Sequence, residues 1–275
     1  MDSTASIYVK DLRLESSDLR VNIVFAIFIM PYLVIRRTFR LLFGKPKVYD
    51  IFLATGLAST FDLLGKLRVP ELVRSWIDVR TRIGFEKEVV EEVLAIRGDL
   101  FLDVGSGIGY YSALLSKNFE TILAFEPYPE HLRMLQFTVA VGRLRNVTVL
   151  GVAVGDNDGS ANLQIHSIGG RHSIEPAGNR RQLATFSKRS LPVRTVKLDS
   201  IVKGRVDLVK LDVEGAELRV VRGAEVSVRT RRIRRWVVEV HDKGTNDELQ
   251  NYFRQREYET RWVDDRHLFA SLLDR

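Results

Sequence analysis

Residues 101–112 read FLDVGSGIGYYS, and this stretch decides how the chain folds. The apolar run Leu100–Val104 stops at glycines, as a buried strand does, and a helical pattern resumes at Tyr110–Lys117. Gly105, Gly107 and Gly109 let the backbone turn sharply and approach a ligand without interference from a Cβ. The helix that follows offers free N–H groups.

Outward from the loop, strand and helix alternate. Glu86–Ile96 precedes it with helical spacing at Val89, Val90, Val93 and Leu94. After it come a strand at Thr121–Phe125, a helix at Glu130–Val141, a strand at Val147–Val154 and an edge-like alternation at Ala161–Ile165. A polar insert follows, Ser167–Ser190. Then come a strand at Val206–Val213, a helix at Ala216–Val221, a strand at Trp236–Val240 and a helix at Asp247–Arg256, with strands at Tyr258–Val263 and His267–Leu273 closing the chain. Strands joined by helices make a doubly wound, mostly parallel α/β sheet, and the last two strands add an antiparallel hairpin. Such sheets bind ligands at the carboxyl ends of their strands.

Glu126 ends the second strand, 21 residues after Gly105. An acid there accepts hydrogen bonds from both ribose hydroxyls of an adenosine cofactor. A nicotinamide fingerprint needs its third glycine at position 110, where Tyr110 stands, and a pyrophosphate would be repelled by Asp103. S-adenosylmethionine carries a sulfonium and an ammonium and no phosphate, so Asp103 beside the glycines suits it. The bland alternative is a tight turn with no ligand.

FLDVGSGIGYYS, AFEP (124–127), NVTVLGVAVGDNDG (146–159), LDSI (198–201), DLVKLDVEGAE (207–217) and VVEVH (237–241) follow one another as in FkbM-type S-adenosylmethionine-dependent methyltransferases. The resemblance covers about Phe85 to His241, and it departs from the usual DVGANIG at Ser106 and Gly107. It implies a class I methyltransferase fold. Asp103, Gly105, Ser106, Gly107 and Gly109 would then surround the methionine end, Glu126 and Pro127 the ribose, and Ala153 and Val154 the adenine, with Asp156 close by. Glu86 would touch the methionine portion, and Asp212 would border cofactor and acceptor. The acceptor implied is a sugar hydroxyl of a glycan, glycolipid or secondary metabolite. The rivals are N- or RNA methylation and a non-catalytic, membrane-associated cofactor-binding module.

Methyl transfer from a sulfonium is an in-line displacement that depends on positioning, and a hydroxyl acceptor must also lose a proton. Asp212 and Glu214 are two apart at a strand end and share a face, as do Glu239 and His241 on another strand. His241 or Asp212 is the expected general base. Two carboxylates and the imidazole would alternatively hold a divalent cation, or Glu239 and His241 would only tie neighbouring loops. Glu217 either joins the cluster or favours its own helix terminus. His172, on the insert, reads as a solvated loop residue, and the arginines of 229–235 as a solvated turn.

Composition sets the outer bounds. The 275 residues are 45% hydrophobic and 28% charged, which excludes a largely disordered chain, and no cysteine is present, which excludes thiol chemistry. Of the net charge of +7, residues 1–84 carry +5 (13 basic, 8 acidic), so the rest is nearly balanced and a nucleic-acid partner is not favoured. Residues 1–84 read as a helical extension ahead of a methyltransferase domain at 85–275. Val21–Ile35 is apolar but spans only about 22 Å as a helix, and the basic residues of 19–49 flank it without a single acid. That helix is expected to be buried, to lie on a membrane surface or to cross it, which places the protein in the cytoplasm or on the inner membrane face.

Overall fold

The computed structural model describes residues 86–166, 173–174 and 186–273. The expectations for the N-terminal extension, for membrane contact through 19–49 and for His172 lie outside the described residues. Among those described, no helix is long and apolar enough to cross a membrane.

Helix α1 (Lys87–Leu94) leads into β1 (Gly98–Val104), the glycine loop, α2 (Tyr110–Leu114), β2 (Phe119–Phe125), α3 (Pro129–Gly142) and β3 (Val147–Leu150). Beyond a second sheet, α4 (Leu198–Ile201) and β8 (Leu208–Leu211) return the chain to the centre. Then follow α5 (Glu217–Arg222), α6 (Glu225–Arg229), β9 (Arg235–Glu239), α7 (Asn246–Arg254), β10 (Tyr258–Trp262) and β11 (His267–Leu272). The main sheet has seven strands in the order β10-β11-β9-β8-β1-β2-β3. β1 pairs in parallel with β2 and β8, and β8 with β9, whereas β11 runs antiparallel to β9 and β10. This is the doubly wound sheet with its C-terminal hairpin that the sequence predicts.

Strands of a sheet covered on both faces lose the polar half of their alternation. In β8 all four residues are buried. Leu102, Val104, Val209, Leu211, Trp236 and Val238 pack one face against Val220 and Val221 of α5, Val228 of α6 and Phe253 of α7. Phe101, Ile122, Leu208, Val237 and Phe269 pack the other against Val89 and Val93 of α1, Tyr111 of α2 and Leu135 of α3. Period-two alternation puts Asp103 and Lys210, polar residues in apolar strands, in phase with Phe101 and Leu208, on the α1–α3 face.

Three expectations change. The strand read at Val147–Val154 breaks after Leu150, and its last part becomes β4 (Ala153–Val154) of a different sheet. That sheet has the order β4-β7-β5-β6, with β5 (Gly159–His166), β6 (Ser173–Ile174) and β7 (Phe186–Val196). β5 therefore lies inside a sheet, paired with β6 and β7, and is not an edge strand. The polar insert also supplies β6 and the start of β7. Its sequence hides this, because β7 (FSKRSLPVRTV) mixes charges with Pro192 and shows no clean alternation.

Chain connections leave the sheet in opposite directions between β1 and β8. The carboxyl ends of these two strands therefore flank the topological switch point, where a crevice opens.

Candidate active site

The loop after β1 is the floor of that crevice. The Gly105 and Ser106 N–H groups both donate to the Phe125 carbonyl at 3.0 Å, binding the loop to the end of β2. Gly105 has φ +77°, and a Cβ there would lie 1.8 Å from the Asp212 carbonyl oxygen. The two strand ends touch backbone to backbone, which only glycine allows. Gly109 (φ +88°) is pressed against Leu135, whereas a Cβ on Gly107 (φ +55°) would meet nothing within 4 Å. Gly107 faces open space, as a backbone that receives a ligand must. We expect Gly105→Ala to lower the melting temperature by several degrees, since the clash is with backbone and the left-handed conformation adds about 1 kcal/mol or more. Thermal denaturation monitored by circular dichroism measures it, and an unchanged melting temperature would contradict this contact.

Glu126 organises the loop from the end of β2. Its Oε2 accepts from the Gly107 N–H at 2.9 Å and its Oε1 from the Tyr128 N–H at 2.8 Å. Burial pushes its carboxyl up to about 8, against the pull of those two N–H groups. Val104, Gly105, Gly107, Glu126, Pro127, His131, Val152, Ala153, Val154, Leu163, Asp212 and Glu214 are among the residues lining the cleft. It is acidic at one end and apolar at the other, where β4 and β5 of the second sheet form the wall. An adenosine with a cationic tail fits that distribution of polarity.

Asp103, Ser106 and Glu86, read for the methionine end, and Asp156, read near the adenine, are engaged by protein partners. Asp103 is buried beneath the loop, its Oδ2 accepting from the Ser112 N–H at 2.9 Å and the Ser112 hydroxyl at 2.5 Å, which ties β1 to α2. Burial moves its carboxyl up to about 6. The Ser106 hydroxyl donates to the Phe125 carbonyl at 3.2 Å. Asp156 pairs with Arg219 at 2.8 Å. Glu86 accepts from the Tyr111 hydroxyl behind the cleft and faces His267.

At the acidic end the strand ends of β8 and β9 gather the expected groups. His241 Nδ1 lies 2.9 Å from Glu217 Oε1, and its Nε2 lies 3.3 Å from Glu214, 3.6 Å from Asp212 and 3.6 Å from Glu239. Carboxylates only accept, so both ring nitrogens face acceptors. Burial opposes the imidazolium, but Glu217, Glu214 and Asp212 outweigh it and bring His241 up to about 9. Glu217 is itself held by the Gly215 N–H at 2.8 Å. Glu214 takes φ +52°, an unusual conformation for a side chain of its size that turns it into the cleft. The Asp212 side chain keeps 36% of its surface open to the cleft. Burial of its remaining surface, reinforced by Glu239 and Glu214 against Lys210 and His241, raises its carboxyl to about 7.

Two residues here escaped the sequence reading. Lys210 Nζ is buried, 4.0 Å from Asp212 Oδ2 and 3.9 Å from Glu239 Oε2. Burial disfavours its charge, yet Asp212, Glu86, Glu239 and Asp103 reverse that and raise its pKa. Its position two residues before Asp212 in an extended strand was the available signal. His267 pairs across β11 with Glu239 of β9, and no local pattern announces that.

The sequence profile of the methyltransferase FkbM domain matches residues 103–260, more than half of the chain. The chain belongs to the FkbM methyltransferase family. That family is one of S-adenosylmethionine-dependent methyltransferases, and the cleft lies at the switch point where such folds take their ligands. The FkbM methyltransferase of Methylobacillus flagellatus KT overlays with a TM-score of 0.47 at 19% identity, over 63% of this chain and 43% of that one. An rRNA methylase from Streptococcus thermophilus overlays at 0.41 and 11% identity, over 68% of this chain and 95% of the other. TrmK of M. capricolum, solved with S-adenosylhomocysteine, overlays at 0.37 and 11% identity, over 66% and 65%. The family member thus spans more than twice the length shared with this chain. No curated protein matches the sequence.

Proposed function

We propose that this FkbM-family methyltransferase methylates a hydroxyl oxygen, of the kind a sugar on a glycan, glycolipid or secondary metabolite presents, with Asp212 as general base. The observation that carries this is Asp212 itself. Among the acids gathered at the strand ends it combines an open face on the cleft with a carboxyl near neutrality. A base is most effective when its pKa lies near the operating pH.

The other groups take supporting roles. S-adenosylmethionine supplies an electrophilic methyl, so the protein needs only to align the acceptor and take its proton. Gly105 and Gly107 would face the methionine end, Glu126 and Pro127 the ribose, and Ala153 and Val154 the adenine. His241 remains an imidazolium across neutral pH, clamped by Glu217, and steadies Glu214 and Asp212 instead of accepting a proton. Glu239, despite burial, is held well below the usual carboxylate range by His267, Lys210 and His241, so it is an anchor and not a base. The acidic cluster is thereby balanced from within by the imidazolium, the alternative to a divalent cation held by Asp212, Glu214 and His241. Oxygen is favoured over nitrogen as the acceptor atom because a hydroxyl needs such a base.

The test is radiolabelled methyl transfer from S-adenosylmethionine to a fractionated lysate including glycolipids, followed by alkaline hydrolysis and sugar analysis of the labelled product. Label on a sugar ether is expected; label confined to amines or RNA would overturn the proposal. With the acceptor in hand, kcat/KM should rise about tenfold per pH unit below 7 and level off above it, since the free base must be deprotonated. A profile flat from pH 6 to 8 contradicts Asp212 as base.

A further inference from the structure

Adjoining the first cluster is a second group of ligand-type side chains, which shares Glu239 with it. Glu86 at the start of α1, Glu239 at the end of β9 and His267 at the start of β11 offer ligand atoms that all lie within 4.8 Å of one another. His267 Nε2 stands 3.5 Å from Glu239 Oε2 and 3.7 Å from Glu86 Oε2. These are the edge lengths of a coordination polyhedron whose metal–ligand bonds measure about 2.1 Å.

Two observations separate this group from ordinary buried acids. The first is the orientation of His267. Its Nδ1 lies 2.8 Å from Asp264 Oδ2, and the Asp264 Oδ1 accepts the backbone N–H groups of Arg266 and His267 at 2.8 and 2.7 Å. Asp264 thereby fixes the ring and assigns the hydrogen to Nδ1, as a carboxylate does for a metal-bound histidine. The second is that His267 Nε2, on a side chain with no exposed surface, has no hydrogen-bond partner although it points at two carboxylates. A buried nitrogen left without a bond is costly unless something else completes it.

We propose that Glu86, Glu239 and His267 form a site for one divalent cation of the transition series, such as Mn²⁺ or Zn²⁺. One imidazole with two carboxylates favours these over Ca²⁺ or Mg²⁺, which prefer oxygen alone. Lys210, 3.9 Å from the same Glu239 oxygen, supplies the local positive charge when no ion is present. The ion joins α1 to the paired strands β9 and β11. Its role is to brace the floor under Tyr111 and the cofactor loop, and it takes no part in proton removal.

The experiment is titration of the metal-stripped, full-length protein with Mn²⁺, followed by electron paramagnetic resonance and by melting temperature. One tightly bound ion per chain and a raised melting temperature are expected. Glu86→Gln, at the edge of the core, and His267→Gln should each weaken binding by roughly 10–100-fold, whereas His241→Gln should change it less than about threefold. Nitrogen coupling from a single imidazole should appear in the spectrum and vanish in His267→Gln. Should His267→Gln fail to fold, Glu86→Gln and the imidazole coupling of the native protein still decide. No stoichiometric Mn²⁺, or binding lost in His241→Gln but untouched in Glu86→Gln, would overturn the proposal. The readout is ion binding, so this result stands apart from whether Asp212 acts as base.

Discussion

Asp212→Asn should reduce kcat by about 10²–10⁴-fold, the range a positioned general base contributes, while S-adenosylmethionine affinity changes by no more than a few fold. Asparagine keeps the size and one acceptor oxygen, and it leaves the Asp212 backbone, whose N–H donates to Val104 and whose carbonyl abuts Gly105, in place. What disappears is the ability to take a proton. It also removes the charge beside Lys210 and His241, so the pKa of His241 should fall, which one-dimensional NMR of the imidazole protons can follow. A companion Glu214→Gln should lose far less, because Glu214 is paired with His241 Nε2 at 3.3 Å and serves as its partner. If Asp212→Asn retains more than a tenth of native kcat, proton removal belongs to another group or to solvent.

The elements that locate this site are those whose signals are local. The glycines of 105–109 announce a turn because no other residue tolerates both a positive φ and backbone contact with Asp212. Glu126 was legible from its spacing alone, and Asp212 and Glu214 from strand alternation. The parts that no local signal shows share a different cause. Asp103 reads as a ligand contact from its place beside the glycines, and in the fold Ser112, in the first turn of α2, ties it to that helix. Glu86 reads as a cofactor contact, and in the fold it meets Tyr111 of α2 and His267 of β11, both distant in sequence. The second sheet went unseen because β7 finds its pattern in its partner β5, not in its own composition. Lys210 shows the limit most clearly: a lysine in an apolar strand reads as an exception until the acids that surround it are assembled by the fold.

Glu126→Ala should weaken S-adenosylmethionine binding by on the order of 100-fold or more. Hydrogen bonds to a charged carboxylate contribute about 1.5–3 kcal/mol each, and two from the ribose set the loss at roughly 10²–10⁴-fold; water entering the gap moves the result to the lower end. The substitution also frees the Gly107 and Tyr128 N–H groups, so the loop loses its shape as well as its ligand contact. Glu126→Gln should be nearly as harmful, in spite of its similar size. Both carboxylate oxygens accept backbone N–H groups, so an amide must turn its NH₂ against one of them. Because burial holds the Glu126 carboxyl near 8 and the hydroxyls favour its ionised form, affinity in the native protein should rise with pH between 6 and 8, with proton release on binding. Calorimetry in two buffers of different ionisation enthalpy measures both quantities at once. Native affinity in Glu126→Ala would sink the ribose assignment. Loss of affinity without proton release would leave Glu126 as the ribose partner but place its carboxyl already ionised in the free protein.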